Sequence, residues 1–206
     1  MAGADPSTDR RRTSGATREA LLEATRHLLA SGESVAKLSA ERIAEEAGMS
    51  RATFYLHFSA KSELIAALAD ELFSWRDEAW VFDLGASRVT YETVVEMVRE
   101  ITTSWSDNRA TLSAIIELAE YDESIRAAWL GAMTQIADRA STQFERHWEG
   151  SRSRPPDPAL VAETFTWMFE RSCHQVLRDP GKADALAEAL AEIVWRTLDH
   201  PGREPG

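Results

Sequence analysis

The stretch from Ser39 to Lys61, SAERIAEEAGMSRATFYLHFSAK, constrains this chain more than any other. Ser39 is placed to cap a helix, because its hydroxyl can accept from backbone N–H groups that lack partners in a first turn. Ala40, Ile43, Ala44 and Ala47 follow at i, i+3, i+4 and i+7. That is one narrow apolar face, small enough to let a second helix come close. Gly48 can end the helix in a left-handed conformation at little steric cost, and Ser50 is a second cap. The spacing is that of a helix-turn-helix. In the second helix, about residues 51–57, Phe54 and Phe58 stand at i and i+4 and should anchor it to a core. Arg51, Ala52, Thr53, Tyr55, Leu56 and His57 are left for the outer face and its edges. Short helical corners also occur as plain packing units, so the residue types have to decide. Arg can pair with guanine or phosphate, Thr can offer a hydroxyl and a methyl, and Tyr can reach a phosphate. Lys61, opening a third helix, can address a phosphate together with backbone N–H groups.

The residues in register, Ile43-Ala44-Glu45-Glu46-Ala47-Gly48-Met49-Ser50 followed by Thr53-Phe54-Tyr55-Leu56-His57-Phe58 and Lys61, closely resemble the signature of TetR-family transcriptional regulators. The likeness covers about residues 17–72. It implies that Ser50, Arg51, Ala52, Thr53, Tyr55, His57 and Lys61 take the family's DNA-facing positions, with Ser39 counted among them as the cap of the first motif helix. Leu56 departs from the aromatic often found at its position, so the resemblance does not carry a phosphate or thymine contact over to it. Glu41, on the exposed side of the first motif helix, stands where some relatives carry a basic or hydroxyl group, and it would repel a nearby phosphate.

Net charge opposes nucleic acid until it is divided along the chain. Residues 1–60 hold eight basic and eight acidic residues, whereas the rest carries the whole net charge of −11. An acidic body repelled by DNA would favour approach by the neutral end. The length of 206 residues suits a small domain joined to a larger one with a sizeable core. No apolar run is long enough to span a bilayer and no signal-peptide pattern opens the chain, so a cytoplasmic protein without a membrane partner is expected. Cys173 is the only cysteine, which excludes an intrachain disulfide and fits a buried small apolar residue.

The chain reads as all-α: a three-helix helix-turn-helix head and a larger helical domain for ligand binding and dimerisation. Residues 1–16 look like a disordered arm, in which Arg10, Arg11 and Arg12 form either a DNA-tracking cluster or a solvated tail. Residues 17–61 form the head, with Thr17 expected to cap its first helix. Residues 62–80 continue a connecting helix that ends near Trp80 and would act as a lever. Residues 81–206, after a break at 81–88, form the effector-binding and dimerisation domain. Its helices are expected at about 91–105, 115–119, 122–148, 159–178 and 182–199, with Asp157 and Pro158 starting the fourth.

Enzyme chemistry finds little support. His147 and His174 lie in separate helices, no Glu-x-x-His pair occurs, and no Gly-rich phosphate loop or nucleophile elbow appears. No catalytic residue, cofactor or metal is expected. The expected function is a ligand-responsive regulator that binds a double-stranded DNA operator, acting as a repressor released from a pseudo-palindrome by a small apolar or aromatic molecule. The alternative is a helical protein-interaction scaffold of the same fold without small-molecule sensing. One head reads few base pairs, so a homodimer through residues 159–199 is expected. The resemblance implies the same, since the last two helices of such proteins form a four-helix dimer bundle. All seven Trp residues follow the head, and rings converging from several helices can wall an apolar cavity. Residues 91–177 look loosely like the actinobacterial branch that contains the repressor of ethionamide activation. The resemblance places a pocket among the middle helices, and Trp105, Trp129, Met133, Phe165, Trp167 and Phe169 are the expected lining residues.

Overall fold

A computed structural model describes residues 6–74, 89–149 and 154–198, with side chains from residue 14 onward and, in the first segment, up to residue 72. Every regular element among the described residues is helical. In chain order these are α1 (Pro6–Ala30), α2 (Ala40–Glu46), α3 (Arg51–His57), α4 (Lys61–Ser74), α5 (Tyr91–Asp107), α6 (Arg109–Ala119), α7 (Glu123–His147), α8 (Pro158–Val176) and α9 (Ala183–Leu198). A short 3₁₀ turn, Pro180–Lys182, joins the last two. No described helix is long and apolar enough to cross a membrane.

The chain divides into two compact units, Met1–Ser74 with Ala110–Trp129, and Trp75–Arg109 with Leu130–Gly206. In the first, α1 and α2 end in the same way. Gly32 and Gly48 have φ of 92° and 68°. The amide after each glycine bonds back across the last turn, Glu33 N–H to the Leu28 carbonyl and Met49 N–H to the Ala44 carbonyl. This closure satisfies carbonyls that would otherwise be orphaned, and it demands a residue that tolerates positive φ. Both expected caps are present: Ser39 accepts from Arg42 N–H and Ser50 from Thr53 N–H, each at 3.1 Å. Leu21, Leu22, Leu28, Ile43, Phe54, Leu64, Ile65 and Leu68 are fully buried, joined within the same unit by Leu112, Ile115 and Ile125.

In the second unit α9 packs most extensively on α5, with the Tyr91 and Trp195 rings edge to face at 6.0 Å. Thr90 and Thr93 form a reciprocal capping box at the start of α5. Asp157 caps α8 through Leu160 N–H, with Pro158 in the first turn as expected.

The first boundary needs correction. Helix α1 starts at Pro6 rather than at a Thr17 cap, so residues 6–16 are helical rather than a disordered arm. A polar segment lacks the apolar residues of a core, yet nothing in it stops a helix; Gly15 costs only about 1 kcal/mol relative to Ala. The 3₁₀ turn takes Lys182, so α9 begins one residue later than expected. The end of the connecting helix near Trp80, the break at 81–88, and Trp75 lie outside the described residues.

Candidate nucleic-acid interface

Helix α3 has seven residues, and its faces divide cleanly. Phe54 is 0% and Phe58 2% exposed, whereas Arg51, Ala52, Tyr55 and Leu56 are exposed and Thr53 and His57 half-buried. The Phe54 and Phe58 rings sit 5.8 Å apart and pin the helix to the first unit's core. The Arg51 guanidinium lies over the Tyr55 ring at 5.5 Å, an attraction between cation and π-face that limits the conformations of a long side chain. Tyr55 and, more weakly, Glu41 push the Arg51 pKa further up, so its charge is permanent. The Thr53 hydroxyl is engaged with the Ser50 hydroxyl at 2.9 Å, which commits both to the helix start.

Lys61 has a second role that the sequence did not disclose. Its ammonium donates to the Val35 carbonyl at 2.6 Å, tying the start of α4 to the loop between α1 and α2. Burial lowers its pKa, and the Glu117 carboxylate opposes that shift. An ammonium has three donors, so this bond leaves others for a phosphate. At the start of α7, Ser124 chiefly, the Ile125 amide and, more weakly, Ser62 hold the Asp122 carboxylate below its usual range. Ser39 is exposed at the α2 start, beside a shallow groove of about 570 Å³ lined by Ser39, Glu41, Arg42, Glu45, Met49 and Arg51. Arg42 is occupied there, at 3.0 Å from both Glu33 and Glu46. Glu41 and Glu45 line the groove as exposed carboxylates, Glu45 at 3.9 Å from Arg42, and α2 offers phosphates little attraction.

The expected DNA-facing set is thus gathered on α3 and its flanks, with two qualifications. Thr53 is partly spent on capping, and Leu56, given no contact above, is the most exposed large apolar residue of the head at 81%. Helical phase alone could have found Leu56, because it lies opposite the two anchoring rings.

The expected effector residues are placed as follows. Trp129 is buried in the first unit, and Trp105 and Met133 are buried in the second. On α8, Phe165 and Phe169 are half-buried at i and i+4, and Phe165 meets the Phe144 ring edge to face at 5.6 Å. Trp167 lies between them in sequence and is 36% exposed. A helical step of about 100° per residue sends it to the other side of α8. Glu170, absent from the expectation, is buried on α8 between Thr166 and Cys173. Burial raises its pKa, and Arg171, whose Nε lies 3.7 Å away, opposes the shift. Among the described residues no three His, Cys, Asp or Glu side chains converge as metal ligands.

Comparison with known proteins gives these geometries a context. Residues 21–68 match the model of the tetR family of bacterial regulatory proteins. The chain is similar to the HTH-type transcriptional regulator EthR of Mycolicibacterium smegmatis, 29% identical over 190 residues, which cover 89% of this chain and 87% of that protein. In fold it is similar to the fatty acid degradation regulator FadR from Bacillus halodurans, with a TM-score of 0.73 at 14% identity over 97% of this chain and 100% of that one. It is likewise similar to SmeT in complex with triclosan, with a TM-score of 0.67 at 18% identity over 93% of this chain and 98% of that one. SmeT is described as the repressor of a multidrug efflux pump of Stenotrophomonas maltophilia.

Proposed function

The chain is a TetR-family transcriptional regulator, and we propose that it acts as a homodimeric repressor released from a pseudo-palindromic operator by a small apolar or aromatic molecule. The members of this family are DNA-binding regulators rather than enzymes. The observation that carries the operator reading is the division of α3, whose anchoring rings free Arg51, Ala52, Tyr55 and Leu56 from any duty in the core. Arg51, held along the Tyr55 ring, reads a base edge; Tyr55 and Lys61 position the head on phosphates; Ser39, Ser50, Thr53 and His57 flank the contact.

Dimerisation through residues 159–199 is supported by what α8 and α9 leave outside. Leu160 is 57%, Trp167 36% and Ile193 45% exposed, more apolar surface than one chain covers. Trp167 is therefore assigned to the dimer face rather than to the effector pocket. Trp105, Met133, Phe165 and Phe169, which all belong to the second unit, remain the proposed lining. The triclosan bound by SmeT is an apolar aromatic molecule of the class proposed here, and it is the first probe to try.

The test begins with selection of bound duplexes from a randomised pool, followed by anisotropy titration. Arg51→Ala should cost about 1–3 kcal/mol at one base position per half-site and relax the preference there. An unchanged base preference in that variant would sink the assignment. A dimer with no sequence preference at all would favour the protein-interaction scaffold instead. Among apolar aromatics that release the wild type, Met133→Ala or Phe169→Ala should lose the response while still binding operator.

A further inference from the structure

We propose that the centre of each half-site is read by an apolar contact, in which Leu56, with Ala52 beside it, packs against the 5-methyl group of a thymine. The inference rests on the operator-binding reading and adds to it the residue that decides one base.

Successive residues advance about 100° around a helix axis, so Leu56 points about 180° away from the mean direction of Phe54 and Phe58. Ala52 lies about 40° to one side of it by the same count. These two, not Arg51, stand at the crest of α3. Arg51 and Tyr55 occupy one flank, coupled to each other by the stacked guanidinium and ring. Thr53 and His57 occupy the other, with the Thr53 hydroxyl already bonded to Ser50. The first group to meet a major groove is therefore a leucine side chain that is 81% exposed.

The chemistry of the groove selects its partner. Of the four bases only thymine presents an apolar group on its major-groove edge; the others present donors and acceptors. A leucine pressed on those would remove their water without replacing the hydrogen bonds. Leu56 thus favours thymine and penalises the alternatives in the same step. An uncharged side chain neutralises no phosphate, so this contact adds specificity without adding salt dependence.

The experiment uses the full chain and the duplex obtained by selection. Each thymine is replaced in turn by deoxyuridine, which keeps the pairing and deletes only the methyl. Wild type should lose roughly fourfold in affinity at one thymine per half-site, the value of one buried methyl-sized group, and roughly 15-fold when both half-sites are changed. Leu56→Ala, a change at an exposed position that leaves the core intact, should bind the thymine and deoxyuridine duplexes alike, with the slope of affinity against salt unchanged. A selected site at which every deoxyuridine is tolerated by wild type overturns the inference and leaves the regulator reading standing. So does a Leu56→Ala variant that still prefers thymine, or one that binds all duplexes more weakly without losing that preference, which would place Leu56 on the sugar–phosphate backbone. Failure to select any preferred sequence overturns both readings together.

Discussion

Helices α3 and α8 solve opposite problems. In α3 the rings of Phe54 and Phe58 point inward and Arg51 and Tyr55 outward. In α8 a carboxylate points inward, Glu170 at 4% exposure, while Leu160 and Trp167 face out. A helix sorted like α3 has its anchoring rings covered within its own unit, and Leu56 is the one large aliphatic side chain that its outer side leaves for a groove to receive. A helix sorted like α8 is not complete. Its outer side holds the groups that water disfavours, and its inner side holds one that a core disfavours. The difference separates a surface proposed to meet DNA from one whose apolar side another chain is proposed to cover.

The sharpest way to break this comparison is at the ring that completes α3. Phe54→Ala removes a fully buried side chain and should cost about 3–5 kcal/mol in urea unfolding followed by circular dichroism. A loss below about 1 kcal/mol would mean that the rings do not anchor the helix.

The next test acts on the outward side of α8 and α9. The double variant Trp167→Glu, Ile193→Glu places two charges on the proposed dimer face. Sedimentation at micromolar concentration should show a monomer, and operator affinity should fall by roughly 100-fold once two heads no longer act together. A variant that stays dimeric would show that the apolar outer side of α8 has some other use.

The smallest expected effect concerns the inward carboxylate. Burial holds the Glu170 pKa above the usual carboxylate range, so the folded chain binds that proton more tightly than the unfolded chain. What Glu170 contributes to stability is therefore greatest below the ordinary glutamate pKa and is lost as pH rises through the raised folded value. Glu170→Gln removes this dependence. The melting temperature of wild type should fall relative to the variant between pH 4 and pH 8, and a constant difference across that range would refute the assignment.

How much of this was legible in the sequence depended on whether a residue's role is local. The caps Ser39, Ser50 and Asp157 and the turn at Gly48 were readable, because each acts within three or four residues of itself. The two anchoring phenylalanines were readable from their spacing. The bond from Lys61 to the Val35 carbonyl was not, since it joins residues 26 apart and no periodicity reports it. The pairing of Arg42 with Glu33 was hidden for the same reason. The start of α1 was not legible, because composition speaks to core formation and only weakly to helix formation. On α8 residue type groups Phe165, Trp167 and Phe169, whereas helical phase splits them between two sides. Phase also marks out Leu56.

The separation of duties within α3 has a consequence for descent. The residues that hold the helix in place, Ser50, Phe54 and Phe58, are distinct from those proposed to meet the bases, Arg51, Ala52 and Leu56. Substitutions at exposed positions usually change stability by no more than about 0.5 kcal/mol. A duplicated gene can therefore drift through new reading residues at those three sites without passing through an unfolded ancestor. On the proposed reading, divergence of the DNA sequence recognised would be uncoupled from survival of the fold, and lineages carrying this seven-residue helix would acquire new target sites by single steps.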